Sequence, residues 1–170
     1  MKYLKIFLAV IAVLAIIFFG NGLITPSINY ENQVVVNKPA AEVWSVMSDP
    51  SNMSEWLPGF LRMEHVSGNP GEVGAVSNIY FDENGEEMVL QETILENVPN
   101  ERMAMNFTAD FMNMNYEMTL DEANGQTTIT SISTTEGNGL FAKSILSFMG
   151  GTMHTQEEEN LTRLKALIER

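Results

Sequence analysis

Between Val34 and Gly59 the chain reads VVVNKPAAEVWSVMSDPSNMSEWLPG, and this run demands a strand followed by two short helices. Pro39 opens the first helix, where a missing N–H costs nothing, and Glu42 in the first turn complements the helix dipole. Ala40, Val43, Trp44 and Met47 recur at helical spacing and form one apolar face. Asp49 then reads as an N-cap, with Pro50 as the first residue of a second helix whose inner side is Met53, Trp56 and Leu57. A strand and two small helices cannot bury those faces alone. The rest of the chain must supply a curved sheet and something to cover it.

The flanking sequence has the required periods. Tyr30 to Val36 alternates in steps of two, as a strand does. Six further strand segments follow: Phe60–Ser67, Val73–Phe81, Glu87–Asn97, Met103–Ala109, Phe111–Leu120 and Thr127–Thr135, separated by links of hairpin length such as Asp82-Glu83-Asn84-Gly85. After Gly137-Asn138-Gly139 the period becomes helical. Asn138 is the expected N-cap, and Phe141, Ile145, Phe148 and Met149 the apolar face of the first half. Gly150-Gly151 predicts a kink or break, with Thr152 capping a continuation. Glu157-Glu158-Glu159 reads as a solvated patch, Glu159 and Arg163 as an i, i+4 pair, and Leu161, Leu164 and Ile168 as the inner side. The expected class is α+β, a seven-stranded curved antiparallel sheet around one long C-terminal helix.

Ahead of this domain lies an apolar run, Ile6 to Phe19, preceded by Lys2 and Lys5 and extended by Gly-Asn-Gly-Leu-Ile to Ile24. Its length suits a bilayer-spanning helix, and an A-x-A-like cleavage site is missing after Phe19. The reading is an uncleaved anchor over residues 1–25 and a domain over 26–170, with a cleaved signal, hence a secreted domain, as the alternative and a buried core helix as the bland one. Lysines on the leading side place the N-terminus in the cytoplasm and the domain outside. All 22 acidic residues and all but two of the nine basic ones lie after Pro26. So acidic a surface repels nucleic acid and anionic headgroups. The chain has no cysteine, which removes disulfides, thiolate catalysis and cysteine metal sites.

The residues Lys38-Pro39-Ala40-Ala41-Glu42-Val43-Trp44, then Ser48-Asp49-Pro50 and Glu55-Trp56-Leu57-Pro58, resemble the opening of the START-like, or SRPBCC, superfamily. This is the group of helix-grip domains that includes polyketide cyclase/dehydrase-like proteins, plant-allergen-type ligand carriers and lipid-transfer domains. The resemblance covers Asn29 to Arg170. It implies a deep, mostly apolar cavity between the sheet and the C-terminal helix, often holding a lipid, steroid, polyketide or other hydrophobic molecule. An N-terminal anchor departs from the commonest, soluble members. The motifs are helix starts and core tryptophans, so they speak for the fold rather than an activity.

Candidate ligand contacts come from the strand faces and the long helix. Methionines cluster at Met103, Met105, Met112, Met114 and Met118, and flexible thioethers suit a pocket for an apolar ligand as well as they fill a core. Glu92 lies between Leu90 and Ile94, with Met88 beyond. Facing inward, its carboxyl would be desolvated and able to exchange a proton; facing outward, it would pair with Arg62 or Arg102. Tyr80, Tyr116 and Asn115 could orient a ligand or stand at a wet rim. The expected lining is Trp56, Tyr80, Met88, Leu90, Glu92, Met105, Phe107, Met114, Tyr116, Phe148 and Met149. His65 and His154 lack metal-ligand spacing, and a weak cation site at His154 with Glu157-Glu158-Glu159 is the lesser alternative to a solvated face, so neither a metal nor a cofactor is expected. Three functions follow: a membrane-anchored module holding a hydrophobic small molecule or lipid, which is the favoured reading; a cyclase-, dehydratase- or hydrolase-like enzyme using Glu92 and Tyr80 as acid and base; and a scaffold for a basic protein partner.

Overall fold

A computed structural model of the chain describes residues 2–170; Met1 lies outside them. Helix α1 (Lys2–Ile24) leads directly into strand β1 (Ser27–Val36), followed by α2 (Ala40–Met47), a single 3-10 turn (Pro50–Asn52) and α3 (Met53–Trp56). Strands β2 (Phe60–Ser67), β3 (Val76–Glu83), β4 (Glu86–Val98), β5 (Arg102–Ala109), β6 (Met112–Ala123) and β7 (Gln126–Gly137) form the meander, and α4 (Leu140–Ile168) closes the chain. The sheet has seven strands in the order β1-β7-β6-β5-β4-β3-β2, every neighbour antiparallel.

Local chemistry places the corners. The β3–β4 and β6–β7 hairpins turn on Asn84-Gly85 and Asn124-Gly125, whose φ angles of 58° and 90°, and 55° and 74°, match the strand twist and favour Asn-Gly. Asp49 accepts from the Ser51 N–H at 2.9 Å and so starts the 3-10 turn as expected. At the head of α2, Glu122 supplies the cap that Pro39 cannot, accepting the Ala40 N–H at 2.9 Å.

Cross-strand register assigns the faces. Tyr30, Ser133, Tyr116, Met105 and Ile94 form one row across five strands, and Ile28, Thr135, Met114, Phe107, Glu92 and Ser77 the next. Both rows belong to the inner face, on which α4 lies over β1 and β7. At the C-terminal end of α4, Leu161, Leu164 and Ile168 meet Val36, Val43, Trp56, Met118, Leu120 and Ile129 in the main core. A second cluster gathers Ile28, Leu90, Met112 and Leu146 nearer the start of α4.

Four expectations for the C-terminal helix need correction. α4 begins at Leu140, and Asn138 instead donates to the Ala109 and Asp110 carbonyls. The helix runs unbroken through Gly150-Gly151: a Cβ on Gly150 would lie 3.3 Å from Ile28 Cγ2, so this glycine lets the helix pass close to β1. Phe141, Ile145 and Phe148 point away from the sheet, which is packed by Ala142, Leu146 and Met153 instead, while Met149 lies on the flank of that inner side. Glu157 is buried rather than solvated, on the side of α4 that also carries Leu161 and Leu164.

Candidate functional site

Two buried carboxyls mark the inner face. β4 runs with its even residues inward, so Leu90, Glu92 and Ile94 are all buried, and Glu92 is only 5 % exposed. Its cross-strand neighbours are Ser77 and Phe107. The two arginines weighed as its partners are engaged on other carboxylates: Arg62 with Glu64 and Glu87, Arg102 with Glu96 and Glu117. Burial alone therefore acts on Glu92 and pushes its pKa up to about 7.

Glu157 faces the sheet from the middle of α4. Tyr116 donates its hydroxyl to Glu157 Oε1 at 2.6 Å. Burial raises the pKa of both groups; the adjacent carboxylate raises Tyr116 further, and the tyrosine hydroxyl partly offsets the rise at Glu157. Tyr30, in the same row, is likewise raised by burial, and its ring meets His154 edge-on at 6.0 Å. Beside them β7 presents Ser131, Ser133 and Thr135, and β1 the Asn32 amide nitrogen, none with a partner at full hydrogen-bond geometry among the described residues, though Ser131 lies close enough to Tyr116 and Glu157, and Ser133 to Tyr30, to offset part of the rise that burial causes there. A polar seam thus runs between the two apolar clusters.

Apolar side chains surround Glu92. Phe81, Met88, Phe107 and Met114 are half-buried: α4 packs chiefly over β1 and β7, and the inner face from β3 to Met114 of β6 is left as a shallow trough. Phe107 and Tyr116 meet edge to face at 6.2 Å, which joins the trough to the seam. At the other margin, a groove of ≈ 600 Å³ passes between β1 and α4, lined by Ser27, Ile28, Tyr30, Ser147, Gly150, Gly151 and His154 among others. A smaller hollow, ≈ 230 Å³, lies on the outer face around Asn115, Glu117, Ile132 and Thr134.

The candidate residues divide cleanly. Met88, Leu90, Glu92, Met105, Phe107, Met114 and Tyr116 share the inner face. Trp56 is buried in the main core with α4, away from the trough. Tyr80 stands on the outer face, its ring under the Arg62 guanidinium at 3.6 Å and its hydroxyl donating to Glu64 at 3.0 Å. Asn115 bonds to Asn106 on that outer side. Phe148 is 58 % exposed on the far side of α4, and Met149, 41 % exposed, lies on the helix flank. Sequence reasoning missed Glu157, Ser131 and Ser133. The step of four from Glu157 to Leu161 was the available signal for Glu157, masked by two further glutamates beside it. Among the described residues no cluster of histidines and carboxylates could hold a metal ion.

A search of curated proteins finds none that matches the chain. Among solved structures, the Zhui aromatase/cyclase from Streptomyces sp. R1128 is similar over 85 % of this chain and 94 % of its own, with 16 % identity and a TM-score of 0.71. Protein CV1439 from Chromobacterium violaceum aligns over 84 % and 97 %, with 21 % identity and a TM-score of 0.67. Ara h 8.0201 aligns over the same shares with 15 % identity and a TM-score of 0.65. At these identities the likeness is one of fold. The model of one family, described as polyketide cyclase/dehydrase and lipid transport, matches residues 27–169, nearly everything after α1, and the chain belongs to that family.

Proposed function

We propose that this protein is a membrane-anchored domain that holds a hydrophobic small molecule or lipid against the inner face of its sheet. Glu92 carries the reading. A carboxyl this buried, with no cation beside it and with Leu90, Ile94 and Phe107 around it, is costly unless a polar atom compensates it. The head of an otherwise apolar ligand would supply that atom, and the half-buried methionines and Phe107 would adapt to its tail. The anchor is α1, whose 23 residues have the length and apolarity to cross a bilayer. Lys2 and Lys5 on its leading side support a cytoplasmic N-terminus and an extracytoplasmic domain over residues 26–170.

Native mass spectrometry of detergent-extracted protein, followed by delipidation and titration with a fluorescent fatty-acyl probe, tests the reading. Phe107→Trp and Met114→Trp fill the trough and should abolish probe binding, whereas Tyr80→Phe, on the outer face, should leave it unchanged. Undiminished binding in both tryptophan variants would sink the idea.

A second reading is favoured by the Glu92 pKa near neutrality, which suits a general acid or base. In it the chain cyclises or dehydrates a polyketide-like substrate, as the family description allows. Tyr80 cannot be the partner group. Tyr116, two strands and one row from Glu92, about 12 Å away, and hydrogen-bonded to Glu157, takes its place. Turnover of a poly-carbonyl substrate that survives Glu92→Gln would remove this reading.

A further inference from the structure

Over its first three turns α4 is apolar on two opposite sides. Ala142 and Leu146 face the sheet, while Phe141, Ile145 and Phe148 face away and are 63, 39 and 58 % exposed; Met149, on the flank between the two sides, is 41 % exposed. A helix resting on a sheet in water carries polar residues on its outer side. The later part of α4 obeys that rule, with Glu158, Glu159, Thr162 and Arg163 exposed; the first part breaks it.

What reaches the anomalous side is α1. Phe18 stacks on Phe148, with ring centroids 6.1 Å apart and planes 9° from parallel, and lies 5.9 Å from Phe141. Gly22 sits so close to Ser144 that a Cβ there would be 2.5 Å from the serine Oγ. Yet α1 covers only a strip, and the remaining patch is widened by Leu140, 42 % exposed, and Phe111, 44 % exposed. The Asn138 N–H donates to the Phe111 carbonyl at 2.9 Å and holds that hairpin tip beside the start of α4.

Charge follows the same outline. In a chain with 22 acidic residues, none occurs before Glu31 and none from Gly137 to Gln156, where Lys143 is the one basic residue. Asp110, at the hairpin tip, is the acid beside the patch.

We infer that the first three turns of α4 enter the lipid leaflet nearest the domain alongside α1, so that two helices rather than one hold the membrane. The inference rests on α1 being membrane-spanning and goes beyond it. Lipid is the occupant because the patch is continuous with α1, whose own surface is apolar all round and exposed, so one solvent must cover both. Interfacial helices sink their apolar side about 5–10 Å into the headgroup and acyl boundary. At that depth the groove beside Gly150 and Gly151 opens at the level of the lipid headgroups, and an apolar molecule can pass between bilayer and sheet without crossing water.

The absence of native cysteine makes the test clean. Single variants Phe141→Cys, Phe148→Cys and Met149→Cys, with Ala12→Cys and Thr162→Cys as references, are labelled with NBD in the full chain and reconstituted in phosphatidylcholine vesicles. Labels at 141, 148 and 149 should be quenched by nitroxide lipids and should react with external dithionite about tenfold more slowly than the label at 162, as expected for burial in the interface. Met149 lies outside the Phe18 stack, so its label reports even if the Phe141 or Phe148 variant loosens α1. Reaction at the Thr162 rate while the Ala12 label stays in lipid overturns the inference and leaves the anchor standing. Reaction of the Ala12 label as well overturns both. Protection from dithionite without nitroxide quenching means that a protein covers the face, and also overturns it.

Discussion

The Tyr116 hydroxyl and Glu157 Oε1 are 2.6 Å apart, a hydrogen bond that fastens the middle of β6 to the middle of α4 between two apolar clusters. Removing the donor leaves a buried carboxyl with poorer compensation. Tyr116→Phe should therefore cost about 1–3 kcal/mol. A double-mutant cycle with Glu157→Gln should show coupling of at least about 0.5 kcal/mol by denaturant unfolding; strict additivity would mean that the bond does not fasten the helix.

Glu92 gives stability a pH dependence of definite sign. Its pKa in the folded chain is about 7, against 4.5 for the free side chain, so the folded state binds the extra proton. Its contribution is complete below the lower value and is lost as pH rises through the higher one, with a difference of up to about 3 kcal/mol. Glu157, also raised by burial, acts in the same direction. Asp49, Glu64 and Glu169 are held low by hydrogen bonds, so their contributions disappear only in more acidic solution. Unfolding midpoints should fall from about pH 5 to pH 8, and Glu92→Gln should flatten most of that slope. A wild-type midpoint that rises over this range would contradict the burial of Glu92.

Core position and strand face separate two isoleucines of β7. Ile129 is 0 % exposed in the main core and Ile132 is 43 % exposed on the outer face. Ile129→Ala should cost about 2–5 kcal/mol, and Ile132→Ala less than about 1 kcal/mol. Equal losses would mean that the assigned register is wrong.

Two glycines of α1 should respond differently to the same change. A Cβ on Gly22 would collide with Ser144, whereas one on Gly20 meets nothing within 4 Å. Gly22→Val should lower stability in detergent by about 1–3 kcal/mol, while Gly20→Val should be close to neutral. Equal behaviour would show that α1 does not dock on α4.

Most of the frame was legible because short-range chemistry dictates it: Pro39, Asp49 and the Asn-Gly corners mark boundaries that tertiary contacts leave in place. The inward turn of β4 was an open question, since Leu90, Glu92 and Ile94 alternate equally well for either face and only pairing with β3 and β5 decides. α4 misled for a physical reason. Apolar residues at helical spacing identify a buried side only when one apolar surround exists, and Phe141 and Phe148 meet α1 whereas Leu161 to Ile168 meet the sheet. Glu157 and Tyr80 were misplaced because charge and aromaticity indicate neither face.

At its far end α4 is tied down as firmly as at its start: Glu169 accepts both the N–H and the side-chain amide of Asn37, at 2.7 and 2.9 Å. A helix of 29 residues, about 44 Å long, is thus gripped by the first helix at one end and by the sheet at the other. A domain on a loose leash tumbles and meets its ligand by chance from any side. Here α1 packs on α4, so with α1 in a bilayer, as proposed, the domain would hold one bearing to the surface and encounter with a lipid-borne ligand would become a search in two dimensions.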